Sequence, residues 1–394
     1  MDRRDLAAWA ATEARERTGR NPEIVAVAPG RVELLGNHTD YNEGWVLTAA
    51  VDAATGVAVS PRTDGIARLH SAHDGYPDVA FPVANMNRAS GPERWSNYVR
   101  GTVAELAAAG VGSIGFDAAI VSTVPDGSGV SSSAALLVAV ARALEALDGR
   151  EPMDPMAMAQ LCRRAENGPF VGAPVGLLDQ FSSACGRAGH ALLLDCRTLR
   201  WDAVPLPGDA CSLLIANSGV RHELAAGGGY ADRRAACFRV ARTVSNRPDA
   251  SLRDVTRESL EARAADIDRE DLRRATHVLD ENDRVLAGAK ALEAGDWATF
   301  GAIMVRSHES CRSLFENSCP EVDALVEAAL GAGAYGAKLT GGGWGGAAII
   351  AHAPDRRAVI EEALRAAWSR RFSGSVQLMA TSAAAGASAE RFPS

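Results

Sequence analysis

Long apolar segments are missing from this sequence. No run of about 18 apolar residues, the length that a membrane-spanning helix needs, occurs in the chain. The stretch from Met1 to Arg20 is charged throughout and lacks the apolar centre of a signal peptide. The seven cysteines form no CxxC pair, which argues against a zinc site or a redox motif and favours reduced thiols. We therefore expect a cytoplasmic protein that does not associate with membranes.

Positive charges are fewer than negative ones. The formal net charge of −8 argues against a general nucleic-acid-binding surface, because such a surface needs a basic patch. It leaves room for a local basic pocket that holds a nucleotide triphosphate. The sequence does not distinguish a monomer from a homodimer.

The chain has 394 residues, enough for two packed domains, and its 47% hydrophobic and 23% charged residues are typical of a globular protein. Predicted strands occur in pairs as well as in alternation with helices, which favours the α+β class. One strand is predicted from Ile24 to Ala28, ended by Pro29 and Gly30, with a continuation of the strand from Arg31 to Leu35 as the alternative. A long charged helical region is predicted from Ser251 to about Ala294.

A glycine- and serine-rich loop lies between a predicted strand (Phe116 to Val121) and a predicted helix that begins near Ser131. Small residues let the backbone approach a ligand, and the N-terminus of a helix favours an anion. Hydroxyl groups there can bind phosphate, and one can ligate Mg²⁺. The alternative is a serine cap on the helix after a tight turn. The loop lacks the lysine of a GxxxxGK[ST] motif, and its residues are Gly127, Ser128, Gly129, Val130, Ser131, Ser132 and Ser133.

Three further dense patches, residues 30–44, 166–180 and 338–346, supply with this loop the parts of a phosphoryl transfer: a phosphate cradle, a metal ligand, a positive charge and a base. Asp179 is either the base, with a cation such as Arg31 favouring its ionised form, or an aspartate stabilised at a helix start. Glu166 is either a ligand of Mg²⁺ or a surface glutamate.

Two polar or glycine-rich stretches each allow two interpretations. The run His38, Thr39, Asp40 and Tyr41 suits the hydroxyls of a polyol, with a surface turn as the alternative. The glycine cluster Gly341 to Gly346 either approaches phosphate or packs under the first loop.

Taken together, the patches resemble the GHMP small-molecule kinases, and among them the galactokinases. The segment Gly30 to Asn42 is similar to the signature GRVNLIGEHTDYN, and Pro125 to Ala135 to the phosphate loop PxGxGLSSSAA. Gly176 to Gly186 looks like GIMDQFxSxxG, and Gly336 to Gly346 looks like GARMTGGGFGG. The resemblance covers nearly the whole chain in order.

The resemblance implies an enzyme that uses ATP and Mg²⁺ to phosphorylate a small-molecule sugar, first of all galactose, at its anomeric hydroxyl. Asp179 would be the base and Arg31 would steady the transferring phosphoryl group. The loop 127–133 would wrap the ATP phosphates with Trp95 near the adenine, and Ser133 and Glu166 would ligate Mg²⁺. The sugar would be bound by Asn37, His38, Thr39, Asp40, Gly176 and Tyr230.

The resemblance also implies a two-domain fold with the active site in the cleft. Residues 1–178 would form an N-terminal domain like that of ribosomal protein S5. Residues 179–394 would form a ferredoxin-like α+β domain, with the last strand free to return to the first domain.

Three departures from the family pattern affect the expectations. Asn37 stands where the family has a glutamate that contacts the sugar's C6 hydroxyl, which puts preference at C6 in doubt. An apparent insertion at residues 167–169 moves Glu166 one residue further from Asp179. The segment before Tyr230 is also one residue longer.

The alternatives are a 1-kinase for another hexose, a C6-modified sugar or a pentose, and a non-catalytic sugar and ATP sensor built on the same fold. The intact serine loop together with Asp179 and Arg31 argues against the sensor. A GHMP kinase for mevalonate or homoserine is disfavoured, because the His-Thr-Asp-Tyr run suits a polyol.

Overall fold

The computed structural model describes residues 1–112, 114–125, 127, 129–221 and 229–392. Ser128 of the predicted phosphate loop lies outside them. The α-helices are α1 (Arg3–Thr18), α2 (Asn97–Ala108), α3 (Ser132–Leu147), α4 (Pro155–Asn167), α5 (Leu178–Cys185), α6 (Gly229–Ser245), α7 (Arg257–Ala262), α8 (Arg269–Glu293), α9 (Trp297–Ser310), α10 (Pro320–Gly331) and α11 (Arg357–Arg371). The strands are β1 (Ile24–Leu35), β2 (Trp45–Arg62), β3 (Ile66–Ser71), β4 (Val79–Pro82), β5 (Gly115–Ser122), β6 (His190–Asp195), β7 (Trp201–Pro205), β8 (Ser212–Arg221), β9 (Gly336–Thr340), β10 (Gly345–His352), β11 (Gln377–Thr381) and β12 (Ser388–Arg391).

The larger sheet has the order β12-β1-β2-β5-β3-β4, and β6 joins it through β2 and carries β7. Its strands pair antiparallel except for β3 with β5. The smaller sheet has the order β11-β8-β10-β9 and is antiparallel. Paired strands together with packed helices confirm the α+β class. No helix in the described part of the chain is both long and apolar enough to cross a membrane.

A shared hydrophobic core joins the two sheets. Leu34 and Leu47 of the larger sheet belong to the same cluster as Ile215 and Ile349 of the smaller one, with Phe300 of α9 among them. The division at residues 178 and 179 stays a prediction. The sheets themselves place β6 and β7, which follow that point in the sequence, on the larger sheet, and β12 returns to pair with β1.

Strand β1 includes the alternative continuation from Arg31 to Leu35. It passes through Pro29 and Gly30 and reaches Leu35, with irregular register beside β2 between Pro29 and Arg31. Such an irregularity accommodates a proline and bends the strand. A Cβ on Gly30 would lie 2.6 Å from the carbonyl oxygen of Val130, so glycine lets β1 touch the glycine- and serine-rich loop.

The charged region from 251 to 294 is not one helix. Capping boxes begin a short 3₁₀ turn at Ser251 and helix α7 at Thr256, and the Asp268 carboxylate caps α8. Each cap satisfies backbone N–H groups at a new helix start, which explains the breaks.

Candidate active site

Two cavities lie near the glycine- and serine-rich loop: one is lined by residues that bond to the loop, and the other is lined by the loop itself. The first has a volume of about 210 Å³ and is lined by Arg31, Glu33, Asn37, His38, Asp40, Val175, Gly176, Leu178, Asp179, Tyr230, Gly341 and Gly342. The second, of about 510 Å³, is lined in part by Trp95, Gly127, Ser132 and Ser133. The structure therefore separates most predicted sugar residues from the predicted nucleotide residues, with the loop between them.

Asp179 and Arg31 form the charged centre of the smaller cavity. Asp179 lies in the first turn of α5, and its Oδ1 accepts a hydrogen bond from Arg31 Nε at 2.7 Å. Arg31 is 5% exposed, and the same guanidinium donates to the carbonyl oxygen of Gly129 at 2.5 Å. The side chain of Asp179 remains 26% exposed. Arg31 thus links the predicted base to the predicted phosphate loop, and the base keeps access to a ligand.

Ser131 acts differently from a helix cap. It stands at the N-cap of α3 with a positive φ of 58°, and its side chain makes no capping hydrogen bond. Its hydroxyl donates to Asp179 Oδ2 instead. The capping alternative is therefore wrong for Ser131, whose side chain does not satisfy the first N–H groups of α3.

The second glycine cluster packs against the first loop. A Cβ on Gly129 would lie 3.1 Å from the carbonyl oxygen of Thr340, and a Cβ on Gly341 would lie 3.1 Å from that of Gly129. Both glycines have positive φ angles. The packing alternative is thus observed, and Gly341 and Gly342 also reach the wall of the smaller cavity.

Glu166 is buried beside Ser133, so it is not a surface glutamate. Its Oε2 accepts from Gln180 Nε2 at 2.5 Å, and it is hydrogen-bonded to Ser133. Burial, reinforced by the charge of Asp179, raises the pKa of Glu166 to about 7. In the described part of the chain, no group of three or more His, Cys, Asp or Glu side chains is arranged to hold a metal. Glu166 and Ser133 offer two oxygen atoms of the kind Mg²⁺ prefers, at the edge of the larger cavity.

His38 has both ring nitrogens engaged within the protein. Nε2 lies 3.0 Å from the carbonyl oxygen of Gly342 and therefore carries the proton, so Nδ1 accepts from the Tyr41 hydroxyl at 3.0 Å. Burial lowers the pKa of His38 to about 3, which keeps the imidazole neutral. Its ring packs 4.5 Å from that of Phe315. His38 therefore forms a wall of the cavity, with its ring nitrogens already bonded.

The two residues after His38 point in different directions. Thr39 is fully buried and its hydroxyl donates to the carbonyl oxygens of Gly36 and Trp45, at 2.8 and 2.6 Å, so it supports the loop and does not line the cavity. Asp40 does line it, and burial, with the nearby charge of Asp179, raises the pKa of Asp40 to about 6.

Gly176 makes room for Asp40. A Cβ built on Gly176 would overlap the Asp40 carboxylate, while the backbone of Gly176 is not in the left-handed region. We predict that Gly176→Ala will displace Asp40 and raise the KM for sugar about tenfold, the loss of one good hydrogen bond, with little change in ATP affinity. Steady-state kinetics check this result. Gly331→Ala is the control, because a Cβ there meets open space; equal sugar KM values for the two variants would contradict the assignment.

Asn37 is tied into the protein and does not offer a free amide to the cavity. Its Nδ2 donates to the carbonyl oxygen of Gly341 at 2.8 Å and lies 3.3 Å from Glu33 Oε2. Its Oδ1 accepts from Asn317 Nδ2 at 2.7 Å. The carboxylate in this part of the wall belongs to Glu33, a residue that the sequence reasoning missed. Its position two residues after Arg31 on a strand was the available signal, because such residues share a face.

Tyr230 and Trp95 line different cavities. Tyr230, at the start of α6, lines the smaller cavity with its ring 5.3 Å from that of His38, and burial raises the pKa of its hydroxyl well above the ordinary value. Most of the lengthened segment before Tyr230 falls within residues 222–228, which lie outside the described residues. Trp95 lines the larger cavity, and its Nε1 donates to the carbonyl oxygen of Pro77 at 3.2 Å.

Three family models match the chain. The galactokinase galactose-binding signature matches residues 15–61, the GHMP kinases N terminal domain matches residues 97–187, and the GHMP kinases C terminal model matches residues 289–370. The first of these ranges contains Arg31 and the loop to Asp40, and the second contains the glycine- and serine-rich loop and Asp179.

Individual proteins match over most of the chain. The galactokinase of Homo sapiens is 44% identical over 351 residues, 88% of this chain and 88% of that protein. The galactokinase of Streptomyces coelicolor is 44% identical over 340 residues, 85% of this chain and 86% of that protein. The crystal structure of Lactococcus lactis galactokinase complexed with galactose superposes with a TM-score of 0.90 at 30% identity, covering 97% of this chain and 99% of that one. The L. major mevalonate kinase, at 20% identity and a TM-score of 0.61 over 93% of this chain and 97% of that one, shares the fold.

Proposed function

This chain belongs to the galactokinase family of the GHMP kinases, and from that premise we propose how it transfers the γ-phosphoryl group of ATP to the anomeric hydroxyl of galactose. The observation that carries the proposal is the contact of Arg31 with both Asp179 and the loop carbonyl of Gly129. This contact places a base, a positive charge and a phosphate-binding loop within one short network. These are the parts that phosphoryl transfer requires.

Asp179 is the base of this mechanism. Each carboxylate oxygen has two lone pairs, so Oδ2 can hold the Ser131 hydroxyl and still accept the proton of the sugar hydroxyl. As that proton moves to Asp179, the anomeric oxygen forms a bond to the γ-phosphorus and the bond from that phosphorus to the β,γ-bridging oxygen breaks, releasing ADP. Arg31 stabilises the charge that develops on the transferring group.

ATP would occupy the larger cavity. Its phosphates would lie against the loop 127–133, which comprises Gly127, Ser128, Gly129, Val130, Ser131, Ser132 and Ser133, and against the N-terminus of α3. Unpaired N–H groups and the helix dipole favour an anion there. Trp95 would lie beside the base, since its ring lines the same cavity.

The residues present fit a Mg²⁺ ion. Glu166 and Ser133 supply a carboxylate and a hydroxyl oxygen in contact with each other, and phosphates and waters would complete the coordination. When bound, the ion would neutralise phosphate charge. The apparent insertion after Glu166 does not remove its carboxylate from the site, because the side chain is held by Gln180, the neighbour of Asp179 in sequence.

We predict that kcat/KM will fall as the pH is lowered through about 7 and then about 6, the pKa values of Glu166 and Asp40 in the unliganded protein. Each carboxylate is charged above its pKa and neutral below it. Because both pKa values are raised, this change of charge occurs at a higher pH than for an ordinary carboxylate. Metal binding and acceptance of sugar hydroxyls need the charged forms, and activity is therefore present at the alkaline side. A pH–rate profile measures this. Glu166→Gln should remove the upper step from the residual activity; a wild-type profile that is flat across this range would contradict the prediction.

Galactose would lie in the smaller cavity, with Asp40 accepting from its hydroxyls and Tyr230 donating to them. Gly176, Asn37 and His38 shape the walls around it. Among the described residues that line this cavity, Arg31 is the only cation and it is paired with Asp179, which favours a neutral sugar over a carboxylate substrate.

ADP release from ATP and Mg²⁺ across a panel of free sugars tests the function. The panel contains galactose, glucose, galactosamine, N-acetylgalactosamine, arabinose, fucose and galacturonate. We expect galactose to give the highest kcat/KM. A preference for another sugar would change the substrate and keep the chemistry, and sugar binding without ADP release from any sugar would favour a sensor.

The cytoplasm is the proposed location. All seven cysteines are free thiols, six of them buried, which suits a reducing compartment.

A further inference from the structure

Helix α8 contacts the segment that carries His38 and Asp40, residues 36–45, which we call the sugar loop. This helix has many charged residues, yet two of its titratable side chains, His277 and Glu281, are each 0% exposed. They are four residues apart and therefore lie on one face of the helix. Both bond to the sugar loop, although neither is among the described residues that line the smaller cavity.

The carboxylate of Glu281 accepts hydrogen bonds from the start of the sugar loop. Its Oε1 accepts from the backbone N–H of Gly36 at 2.9 Å and lies 3.3 Å from the backbone nitrogen of Asn37. The Ser307 hydroxyl donates to the same oxygen at 2.7 Å, and Arg284 Nε donates to Oε2 at 2.5 Å. Burial opposes the charged form, but the nearby positive charge of Arg284 outweighs it and lowers the pKa of Glu281 to about 2. The carboxylate is therefore ionised, and its hydrogen bonds to the loop are charge-assisted.

His277 holds the other side of the same peptide segment. Its Nε2 lies 3.1 Å from the carbonyl oxygen of Asn37, which can only accept, so Nε2 carries the proton. Its Nδ1 then accepts from the Ser310 hydroxyl at 2.8 Å, and Ser310 Oγ accepts from Arg284 Nη2 at 3.0 Å. Burial lowers the pKa of His277 to about 4, which keeps the imidazole in this neutral form. Arg284 therefore supports both contacts with the loop, one through Glu281 and one through Ser310 and His277.

The far end of the sugar loop is also tied to α8. Asn282 Oδ1 accepts from the backbone N–H of Trp45 at 2.7 Å. Gly44 lies against the same oxygen, because a Cβ on this glycine would overlap it. Helix α8 thus holds both ends of the sugar loop. We call the four α8 residues that make or support these contacts the α8 clamp: His277, Glu281, Asn282 and Arg284.

The backbone of the sugar loop is one that needs support. Gly36 and His38 stand on either side of Asn37 and have positive φ angles of 104° and 62°. A histidine keeps this disfavoured conformation only where its surroundings hold it. The α8 clamp fixes the N–H and the carbonyl group of Asn37 between them. The positions of His38 and Asp40 in the cavity wall therefore depend on a helix that lies outside the cavity lining.

We propose that the α8 clamp is a set of positioning residues, which determines the affinity of the site for sugar by holding the backbone of the sugar loop. The inference rests on the proposed function, because it assumes that the sugar binds against His38 and Asp40. A positioning role predicts a defect in sugar binding by folded protein. A role in stability alone predicts that folded protein binds sugar normally.

Glu281→Gln tests the contact with the start of the loop. An amide accepts at one end only, so glutamine keeps either the contact with Arg284 or the contact with the loop N–H groups and loses the other. We expect the dissociation constant and the KM for galactose to rise about tenfold, the loss of one hydrogen bond to a charged group. The kcat and the KM for ATP should stay close to the wild-type values, because Asp179 and Arg31 make none of these contacts. Calorimetry without ATP and steady-state kinetics measure these constants.

Glu145 on α3 provides a matched control. It is 4% exposed, its Oε1 accepts from the backbone N–H of Met153 at 2.6 Å, and its Oε2 accepts from Arg142 at 2.8 Å. Like Glu281, it joins an arginine three residues away to a backbone N–H, but it lines neither cavity. Glu145→Gln should lower the thermal unfolding midpoint to a similar degree and leave the affinity for galactose unchanged. If both variants change that affinity equally, the proposal is overturned.

Two substitutions of His277 keep the test decisive if Glu281→Gln does not fold. Glutamine can still donate an N–H to the carbonyl oxygen of Asn37, whereas leucine cannot. We expect His277→Gln to bind galactose nearly as the wild type does, and folded His277→Leu to bind it about tenfold more weakly. Equal affinities in these two variants would overturn the proposal. A wild-type protein that binds galactose without phosphorylating it would instead overturn the proposed function, and the binding comparison would still decide the role of the α8 clamp.

Discussion

Asp179→Asn is expected to lower kcat by about a thousandfold or more, within the range that a positioned base contributes. Asparagine has the same shape: its Oδ1 can still accept from Arg31, and its Nδ2 can donate to the hydroxyl oxygen of Ser131, so the geometry of the site should survive. It cannot accept the proton of the sugar hydroxyl at neutral pH. Single-turnover and steady-state measurements of ADP release check the loss.

Two observations separate this effect from damage to the fold. ATP binding, measured by calorimetry, should remain close to that of the wild type, because the phosphate loop is unchanged. Asp209→Asn, an exposed aspartate outside both cavities, should keep wild-type turnover. Near-normal turnover in Asp179→Asn would remove Asp179 from the role of base.

Arg31→Lys is expected to lower kcat by about a hundred- to a thousandfold, even though the positive charge is kept. The guanidinium of Arg31 reaches Asp179 and the Gly129 carbonyl oxygen at once. Lysine has a single ammonium nitrogen in place of the branched guanidinium. It cannot donate to Asp179 and to the Gly129 carbonyl oxygen while it also contacts the phosphoryl group. Steady-state kinetics with galactose and ATP measure the effect.

Arg142 provides a matched control for that substitution. It is 7% exposed, against 5% for Arg31, and it also joins a carboxylate to a backbone carbonyl, through Glu145 at 2.8 Å and Met153 at 2.9 Å. Arg142→Lys should destabilise the protein to a similar degree and leave kcat intact. If both variants lose the same share of turnover, the effect of Arg31→Lys is structural.

Local patterns in the sequence account for much of the fold, and the misses have physical causes. The α+β class followed from paired strands and helical segments, and the structure confirms it. For β1 the sequence allowed an end at Pro29 or a continuation from Arg31 to Leu35, and the structure shows the continuation, because an irregular register beside β2 carries the strand through the proline. The region from 251 to 294 was predicted as one helical stretch, yet the caps at Thr256 and Asp268 restart the helix.

The candidate site likewise has features that the sequence predicts and features that it does not predict. Residue type and spacing were enough to single out Asp179, Arg31 and Glu166, because each stands in a short sequence pattern that indicates its chemistry. Hydrogen-bond partners from distant parts of the chain were not predictable. His38 is held by Gly342, and Glu33 is held by Lys338, each about 300 residues away in sequence. Such contacts depend on how β9 and the loop that follows it meet β1 and the loop that follows it, which no short-range pattern reports.

Identification of the phosphorylated oxygen tests the central claim most directly. The purified protein is incubated with galactose, ATP and Mg²⁺, and the product is examined by phosphorus and proton NMR. We expect a single sugar phosphate whose phosphorus couples to the anomeric proton, formed in equal amount to ADP. Phosphate on another carbon, or release of inorganic phosphate without a sugar phosphate, would contradict the account of Asp179 and Arg31 acting on the anomeric hydroxyl.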